Sequence, residues 1–195
     1  MSWGDVRGLL QYVPQFRGKV FVVMVDAPES ALAEIMLDLV SLQNIGVQLV
    51  LGSSVHSTDS MLDRAAEVEL KYSQTVFTDD EEDVRAALMR GQAVVADFQE
   101  TNPFSHKIAN FAVSLTARKL VLLHGEGDVP AQGAIRAADV TRENSTLLRD
   151  ASSACNMGIP RVHILDGSFP AVLLNELFSN EGVGTMVYAD SYRSI

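Results

Sequence analysis

Residues 19–51 read KVFVVMVDAPESALAEIMLDLVSLQNIGVQLVL and hold a complete strand–helix–strand unit. Lys19–Val25 is a continuous apolar run rich in β-branched residues, the pattern of a strand covered on both faces. In Ser30–Ile45 the apolar residues Leu32, Ile35, Met36, Leu39, Val40 and Leu42 recur at helical spacing, and Gly46 stands where a glycine ends a helix. Val47–Leu51 is then a second buried strand. A helix joining two such strands crosses over the sheet, so the two strands are expected to run parallel.

The same alternation extends outward. Asp5–Phe16 reads as a helix interrupted by Pro14, ahead of the first strand. Asp79–Arg90 is a helix with acidic residues in its first turn, Ala93–Asp97 a short strand, and Phe104–Thr116 a helix with Phe104, Ile108, Phe111, Ala112 and Leu115 on one face. Lys119–Leu123 is a buried strand. Asn144–Met157 is helical, Arg161–Leu165 a strand, Ala171–Phe178 a short amphipathic helix, and Thr185–Val187 a last strand. Gly52–Val76 has the weakest periodicity, with room for a helix over Thr58–Ala66 and an edge strand. This order predicts an α/β fold, a three-layer αβα sandwich on a mostly parallel sheet.

The 195 residues fit one domain, and 47% apolar with 21% charged residues excludes disordered, collagen-like and coiled-coil classes. Fifteen basic against 25 acidic residues give a net charge of −10, a field that repels phosphate backbones, so no nucleic-acid partner is expected. The single Cys155 excludes a disulfide framework and reads as a small buried hydrophobe. No apolar run is long enough to cross a bilayer and no leader pattern opens the chain. A soluble cytoplasmic protein without a membrane partner is the expectation.

Ligands of open parallel sheets sit beyond the strands' carboxyl ends. The loops there are Asp26-Ala27-Pro28-Glu29 and Gly52-Ser53-Ser54-Val55-His56. Neither offers the consecutive glycines and lysine that cradle phosphate, and Asp26 and Glu29 oppose an anion. Ser53, Ser54 and His56 lack the strand–turn–helix elbow of a nucleophilic serine. His56, His106, His124 and His163 show no metal-ligand spacing, so no metal is expected. His163, inside a strand, is either a satisfied core histidine or a site residue. Asp79–Asp83 reads as a solvated helix start, and Gly182-Val183-Gly184 as a two-glycine turn. These residues assemble no catalytic constellation.

The stretch RVHILDGSFPAVLLNELFSNEGVGTMV, Arg161–Val187, resembles the end of the amino-acid kinase domain of acetylglutamate kinases and N-acetylglutamate synthases. YVPQFRGKVFVV, Tyr12–Val23, is similar to that family's amino-terminal helix and first strand. Leu37–Leu51 is similar to its first crossover helix and second strand, and Lys107–Leu123 to a later helix and strand with Gly125–Gly127 at the turn. The resemblance implies the amino-acid kinase fold over residues 19–188, in shortened form, with residues 1–18 as an amino-terminal helix that can serve as an oligomerisation arm. Trp3, Val6, Leu9, Leu10, Val13 and Phe16 give that helix an apolar face. Residues 189–195 resemble the linker to an acetyltransferase domain.

The departures bear on activity. Where active family kinases have a lysine and paired glycines, this chain has Met24, Asp26 and Ala27; Ser53, Ser54 and Val55 replace the second glycine-rich loop. Leu147 stands near the position of a second phosphate-binding lysine, with Arg149 beside it. Losing both lysines removes the charges that stabilise a transferring phosphoryl group. The resemblance therefore implies a catalytically degenerate domain with no catalytic residue and no cofactor, in a regulatory and oligomerising role in arginine biosynthesis. Carried over by motif, the effector site for L-arginine comprises Tyr12, His163, Gly167, Glu176, Gly182 and Gly184, with the Glu176 carboxylate able to fork to a guanidinium. Two alternatives stand beside it. One is a divergent acylamino-acid kinase using ATP and magnesium with Lys107, Arg118 and Arg149 as replacement cations; the other is a ligand-free structural domain.

Overall fold

The computed structural model describes residues 3–74, 81–98, 100, 102–125, 133–179 and 182–189. Two short helices open the chain, α1 over Trp3–Leu10 and α2 over Val13–Phe16, where the sequence predicts a helix over Asp5–Phe16 interrupted at Pro14; the interruption falls at Gln11–Tyr12. Pro14 has no N–H to donate and sits in the first turn of α2, where none is needed, so the helix restarts there rather than continuing. Then follow β1 (Val20–Val25), α3 (Leu32–Asn44), β2 (Gln48–Gly52), α4 (Thr58–Glu67), α5 (Glu81–Met89), β3 (Val94–Val95) and α6 (His106–Ser114). The carboxyl half adds β4 (Lys119–His124), β5 (Gly133–Arg136), α7 (Thr146–Asn156), β6 (Arg161–Asp166), α8 (Val172–Leu177) and β7 (Thr185–Tyr188).

The seven strands form one sheet in the order β3-β2-β1-β4-β6-β7-β5. Every neighbouring pair is parallel except β6 with β7, which run antiparallel with Ile164 opposite Thr185 and Arg161 opposite Tyr188. The predicted αβα sandwich on a mostly parallel sheet is the architecture observed. Strand alternation sorts the core into two layers. Val20, Val22 and Met24 of β1 pack with residues of α5, α6 and α7; Phe21, Val23 and Val25 pack with α3, α4 and α8.

Two local expectations are corrected. The strand predicted over Ala93–Asp97 forms as a regular strand at Val94–Val95, flanked by bridge positions at Ala93, which pairs with Tyr72, and at Ala96. Among the described residues, the Tyr72–Ala93 bridge is what forms of the edge strand expected within Gly52–Val76, whereas the helix there spans Thr58–Glu67, with the Ser57 hydroxyl accepting from the Ser60 N–H. β5 leaves little trace in the sequence: its four residues lie on the sheet edge, alternately half-buried and exposed, and carry little apolar signal. Asp79 and Asp80 of the acidic helix start, and Trp3 and Val6 as side chains, lie outside the described residues. Among the described residues no helix is long and apolar enough to cross a membrane.

One buried carboxylate sets the position of α8. Asp38, on α3 and 5% exposed, accepts from the backbone N–H groups of Leu173 and Leu174 in the first turn of α8, just after Ala171 at φ +53°. Burial raises its carboxyl to about 6, against the pull of those two N–H bonds. A carboxyl raised on folding contributes stability below its ordinary range and loses that contribution as pH climbs to about 6. Relative to Asp38→Asn, the wild-type chain is expected to gain stability as pH falls from 7 to about 4. Urea unfolding of both proteins across that range reads the difference; parallel curves would contradict it.

Candidate functional site

A cleft of about 390 Å³ opens on the sheet face that carries α3, α4 and α8, where helix cover ends. Its floor comes from the sheet: Lys119 and Arg161, the first residues of β4 and β6, His163 of β6, Met186 of β7 and Ala134 of β5. Tyr12, Gln15 and Phe16 wall it from the amino-terminal helices, and Glu176, Gly182 and Gly184 from α8 and the loop beyond. An aromatic cluster joins the two walls. Tyr12 stacks on Phe16 at 5.9 Å and meets Phe178 edge-on, while Phe16 meets both Phe21 and Phe178 edge-on at 5.4 Å. The amino-terminal helices thus pack on their own domain through Phe16, while Leu10 remains 61% exposed.

A buried polar chain crosses the cleft. Lys119 Nζ lies 3.1 Å from His163 Nε2, and His163 Nδ1 lies 2.8 Å from Glu176 Oε1. Glu176 Oε2 accepts the N–H groups of Val183 at 2.7 Å and Gly184 at 2.9 Å. The side chains of His163 and Glu176 are each 4% exposed. Burial would raise the Glu176 carboxyl, but the His163 bond and the two backbone donors outweigh it and hold the carboxyl well below its usual range. Burial, and then the Lys119 charge, push the His163 imidazolium below its ordinary value despite Glu176, so His163 is neutral. Burial, joined by the positive charges of Arg161 and Arg118, lowers Lys119 to about 7 against the attraction of Glu176.

This geometry changes the role of Glu176. Its two oxygens hold His163 and the 183–184 loop, so it offers no free fork to a guanidinium. It shapes the cleft by fixing the loop. Gly182 takes φ +68°, and a Cβ there would stand 2.7 Å from Glu176 Oε2; Gly184 lies against Ile164 and Leu165. Of the six residues carried over by motif, Tyr12, His163, Glu176, Gly182 and Gly184 line this one cleft. Gly167 does not. It sits in the turn between β6 and α8, where a Cβ would come 2.6 Å from Ala27 Cβ, beside a separate shallow pocket with Phe169 and Glu34. Lys119 and Arg161 were not singled out from sequence, because each opens an apolar strand and reads as its solvated end. The signal was there: positions 119, 121 and 123 share one face, and Val121 and Leu123 are core.

The strands' carboxyl ends look different. Asp26 accepts from the Ser53 hydroxyl at 3.0 Å, the Ser54 N–H at 2.7 Å and the Ser54 hydroxyl. Ser53 Oγ in turn accepts the N–H groups of Val55 and His56. The loop donors that would face a phosphate are bonded within the chain, three of them to a carboxylate. Above the ends of β1 and β2, Phe98 is 2% exposed and packs so close to Gly52 that a Cβ there would stand 2.9 Å from its ring. The replacement cations are dispersed: Lys107 Nζ donates to the Phe98 carbonyl, Arg149 to the Thr146 hydroxyl, and Arg118 precedes β4 at the opposite end of the strand. Asp26→Ala is expected to cost about 1.5–3 kcal/mol, since it strands donors that bonded a carboxylate. It should also speed hydrogen exchange at Ser54; an unchanged Ser54 amide would contradict this reading of the loop.

Among the described residues no cluster of three or more His, Cys, Asp or Glu is placed to hold a metal ion. Comparison with protein-family models gives no match. The chain is similar to the acetylglutamate kinase of Kosmotoga olearia, 37% identical over an alignment of 92 residues that covers 40% of this chain and 33% of that protein. It is similar to the amino-acid acetyltransferase of Edwardsiella ictaluri, 29% identical over an alignment of 133 residues that covers 58% of this chain and 30% of the relative. The segments matched span about a third or less of such relatives' lengths. Among solved structures, N-acetylglutamate synthase from Neisseria gonorrhoeae complexed with coenzyme A and N-acetyl-glutamate superposes with a TM-score of 0.78 at 19% identity. The match covers 96% of this chain and 64% of that one. The same synthase complexed with coenzyme A and L-arginine gives 0.75 at 18% identity. The chain thus shares its fold with about two thirds of an N-acetylglutamate synthase chain and is similar in sequence, over part of its length, to acetylglutamate kinases and amino-acid acetyltransferases.

Proposed function

We propose that this chain is a regulatory domain that binds L-arginine in the cleft between its amino-terminal helices and the α8–β7 loop, and that it is silent as a kinase. The observation that carries the reading is the contrast between the two ends of the molecule. At the cleft, five residues carried over by motif surround an open cavity with Lys119 and Arg161 in its floor. At the strands' carboxyl ends, the Asp26 carboxylate takes up the Ser53 and Ser54 donors and the Phe98 ring packs against Gly52, which speaks against a phosphate held there. Lys119 and Arg161 suit the carboxylate of an amino acid. The side chain of that amino acid then extends between Tyr12 and the Gly182–Gly184 loop, where π faces and backbone carbonyls suit a guanidinium.

In this reading the domain serves an N-acetylglutamate synthase of arginine biosynthesis. Residues 189–195 lead to an acetyltransferase domain, and α1 is the contact between subunits. The exposed Leu10 supports the last point. The divergent-kinase reading is disfavoured by the dispersal of Lys107, Arg118 and Arg149. Calorimetric titration with L-arginine, ATP–magnesium and N-acetylglutamate tests the set. Saturable heat with arginine alone is the expected result. Binding of ATP–magnesium without arginine would revive the kinase, and silence to all three would leave a structural domain.

A further inference from the structure

The cleft holds one buried amine. Lys119 is 4% exposed yet lines the open cavity. Among the described residues its hydrogen-bond partner is His163 Nε2, and its Nζ lies 5.7 Å and 5.9 Å from the ring centroids of Phe16 and Phe21. The acceptor side fixes the histidine tautomer. Glu176, held ionised by two backbone N–H groups, needs a donor at His163 Nδ1. Neutral His163 then presents a lone pair at Nε2, to which Lys119 donates. As an ammonium, Lys119 keeps two further protons for a cleft ligand. As an amine it keeps one, together with a lone pair that an entering carboxylate must avoid.

The charges facing Lys119 compete. Arg161 from β6 and the adjacent Arg118 oppose its protonation, while Glu176 from α8 favours it across the intervening His163. Tyr12 is the titratable group facing the cleft from the amino-terminal helices. A carboxylate placed on Lys119 and Arg161 adds the missing negative charge. It cancels the opposition of the two guanidinium groups and accepts the remaining protons.

We propose that the cleft takes up a proton at Lys119 when it binds a carboxylate ligand, so that its hold on that ligand weakens as pH rises above neutrality. This rests on the effector reading and adds its regulation: the domain responds to ligand and proton together. With one proton taken up, affinity falls about tenfold per pH unit while the free amine is neutral and the bound one charged. Lys119→Arg, which carries a permanent charge, flattens that slope.

The test uses L-arginine as probe, titrated calorimetrically between pH 6.5 and 8.5 in buffers of contrasting ionisation heat. The ¹³Cε signal of Lys119, assigned by its loss in Lys119→Arg, is followed in the free and bound chain. Expected are uptake of most of one proton per arginine near pH 8, an affinity drop approaching tenfold per unit above neutrality, and a Lys119 midpoint near neutrality that moves up by about two units or more on binding. Arginine that binds with no proton uptake overturns the inference and leaves the effector reading standing. So does a free-chain Lys119 that titrates at its ordinary value, a readout that needs neither ligand nor variant. Absence of arginine binding at every pH overturns the effector reading, and this inference with it.

Discussion

Glu176→Ala is expected to destabilise the fold by about 3–5 kcal/mol in chemical unfolding, because it removes one carboxylate from three donors at once, two of them buried. His163 Nδ1 and the N–H groups of Val183 and Gly184 would lose their acceptor in a site where the side chains are 4% exposed. Glu176→Gln keeps the volume and one acceptor oxygen, so it should cost markedly less. The acid limb of the stability profile is a second reading of the same network. His163 is neutral in the fold, so its contribution is complete above its ordinary 6.5 and is lost as pH falls toward about 4. Glu176 contributes fully above its ordinary 4.5 and loses that contribution as pH falls toward about 2. The Asp38 effect has the opposite sign over the same range, so Asp38→Asn should steepen the acid loss. An Ala variant at 176 with wild-type stability and an unchanged acid limb would remove Glu176 from the structural role assigned here. For ligand studies the consequence is direct. Loss of binding in Glu176→Ala reports on the loop as much as on contact, and Lys119 or Tyr12 are the cleaner probes.

Gly184→Ala is the second large effect, at about 3 kcal/mol or more. The added Cβ would fall onto Leu165 Cδ2 and stand 2.6 Å from the Ile164 carbonyl oxygen, a backbone atom that cannot swing away. The clash lies where β7 leaves the loop to pair with β6, so relief requires β7 to shift or the Gly184 N–H bond to Glu176 to break. Gly8→Ala is the control. It lies in α1 with nothing within 4 Å of its added Cβ, and should be neutral to mildly stabilising, by up to about 1 kcal/mol, from helix propensity. Thermal unfolding of the pair separates a packing requirement from a general glycine effect. Equal midpoints would contradict the close approach.

Most of the architecture could be read from the sequence because its strands are buried on both faces. Runs such as Val20–Val25 and Arg161–Asp166 have no competing helical period, and α3 between the first two strands has a clear one. The parts that could not be read lack that contrast. β5 is four half-exposed edge residues, and β3 reduces to two paired residues. The antiparallel direction of β7 depends on where the loop before it lands, which no local pattern encodes. The cleft divides in the same way. His163, Glu176 and the Gly182–Gly184 loop lie within 22 residues of one another and share one motif stretch, so a resemblance could mark them together. Lys119 is brought to them by the pairing of β4 with β6, a tertiary fact. The inward commitment of the Glu176 carboxylate was hidden for a further reason: a glutamate near the end of a short amphipathic helix reads as solvated. Gly167 belongs to the same motif, yet the structure uses it for close packing of the β6–α8 turn against Ala27.

The measurement that most directly tests the account is residue-resolved mapping of L-arginine binding on the ¹⁵N-labelled chain by amide chemical shifts. The account predicts shifts concentrated at Tyr12, His163, Val183 and Gly184, with Ser53–His56 unmoved. Saturable shifts at Ser53–His56 and Asp26, with the cleft silent, would place the ligand at the strands' carboxyl ends and contradict it.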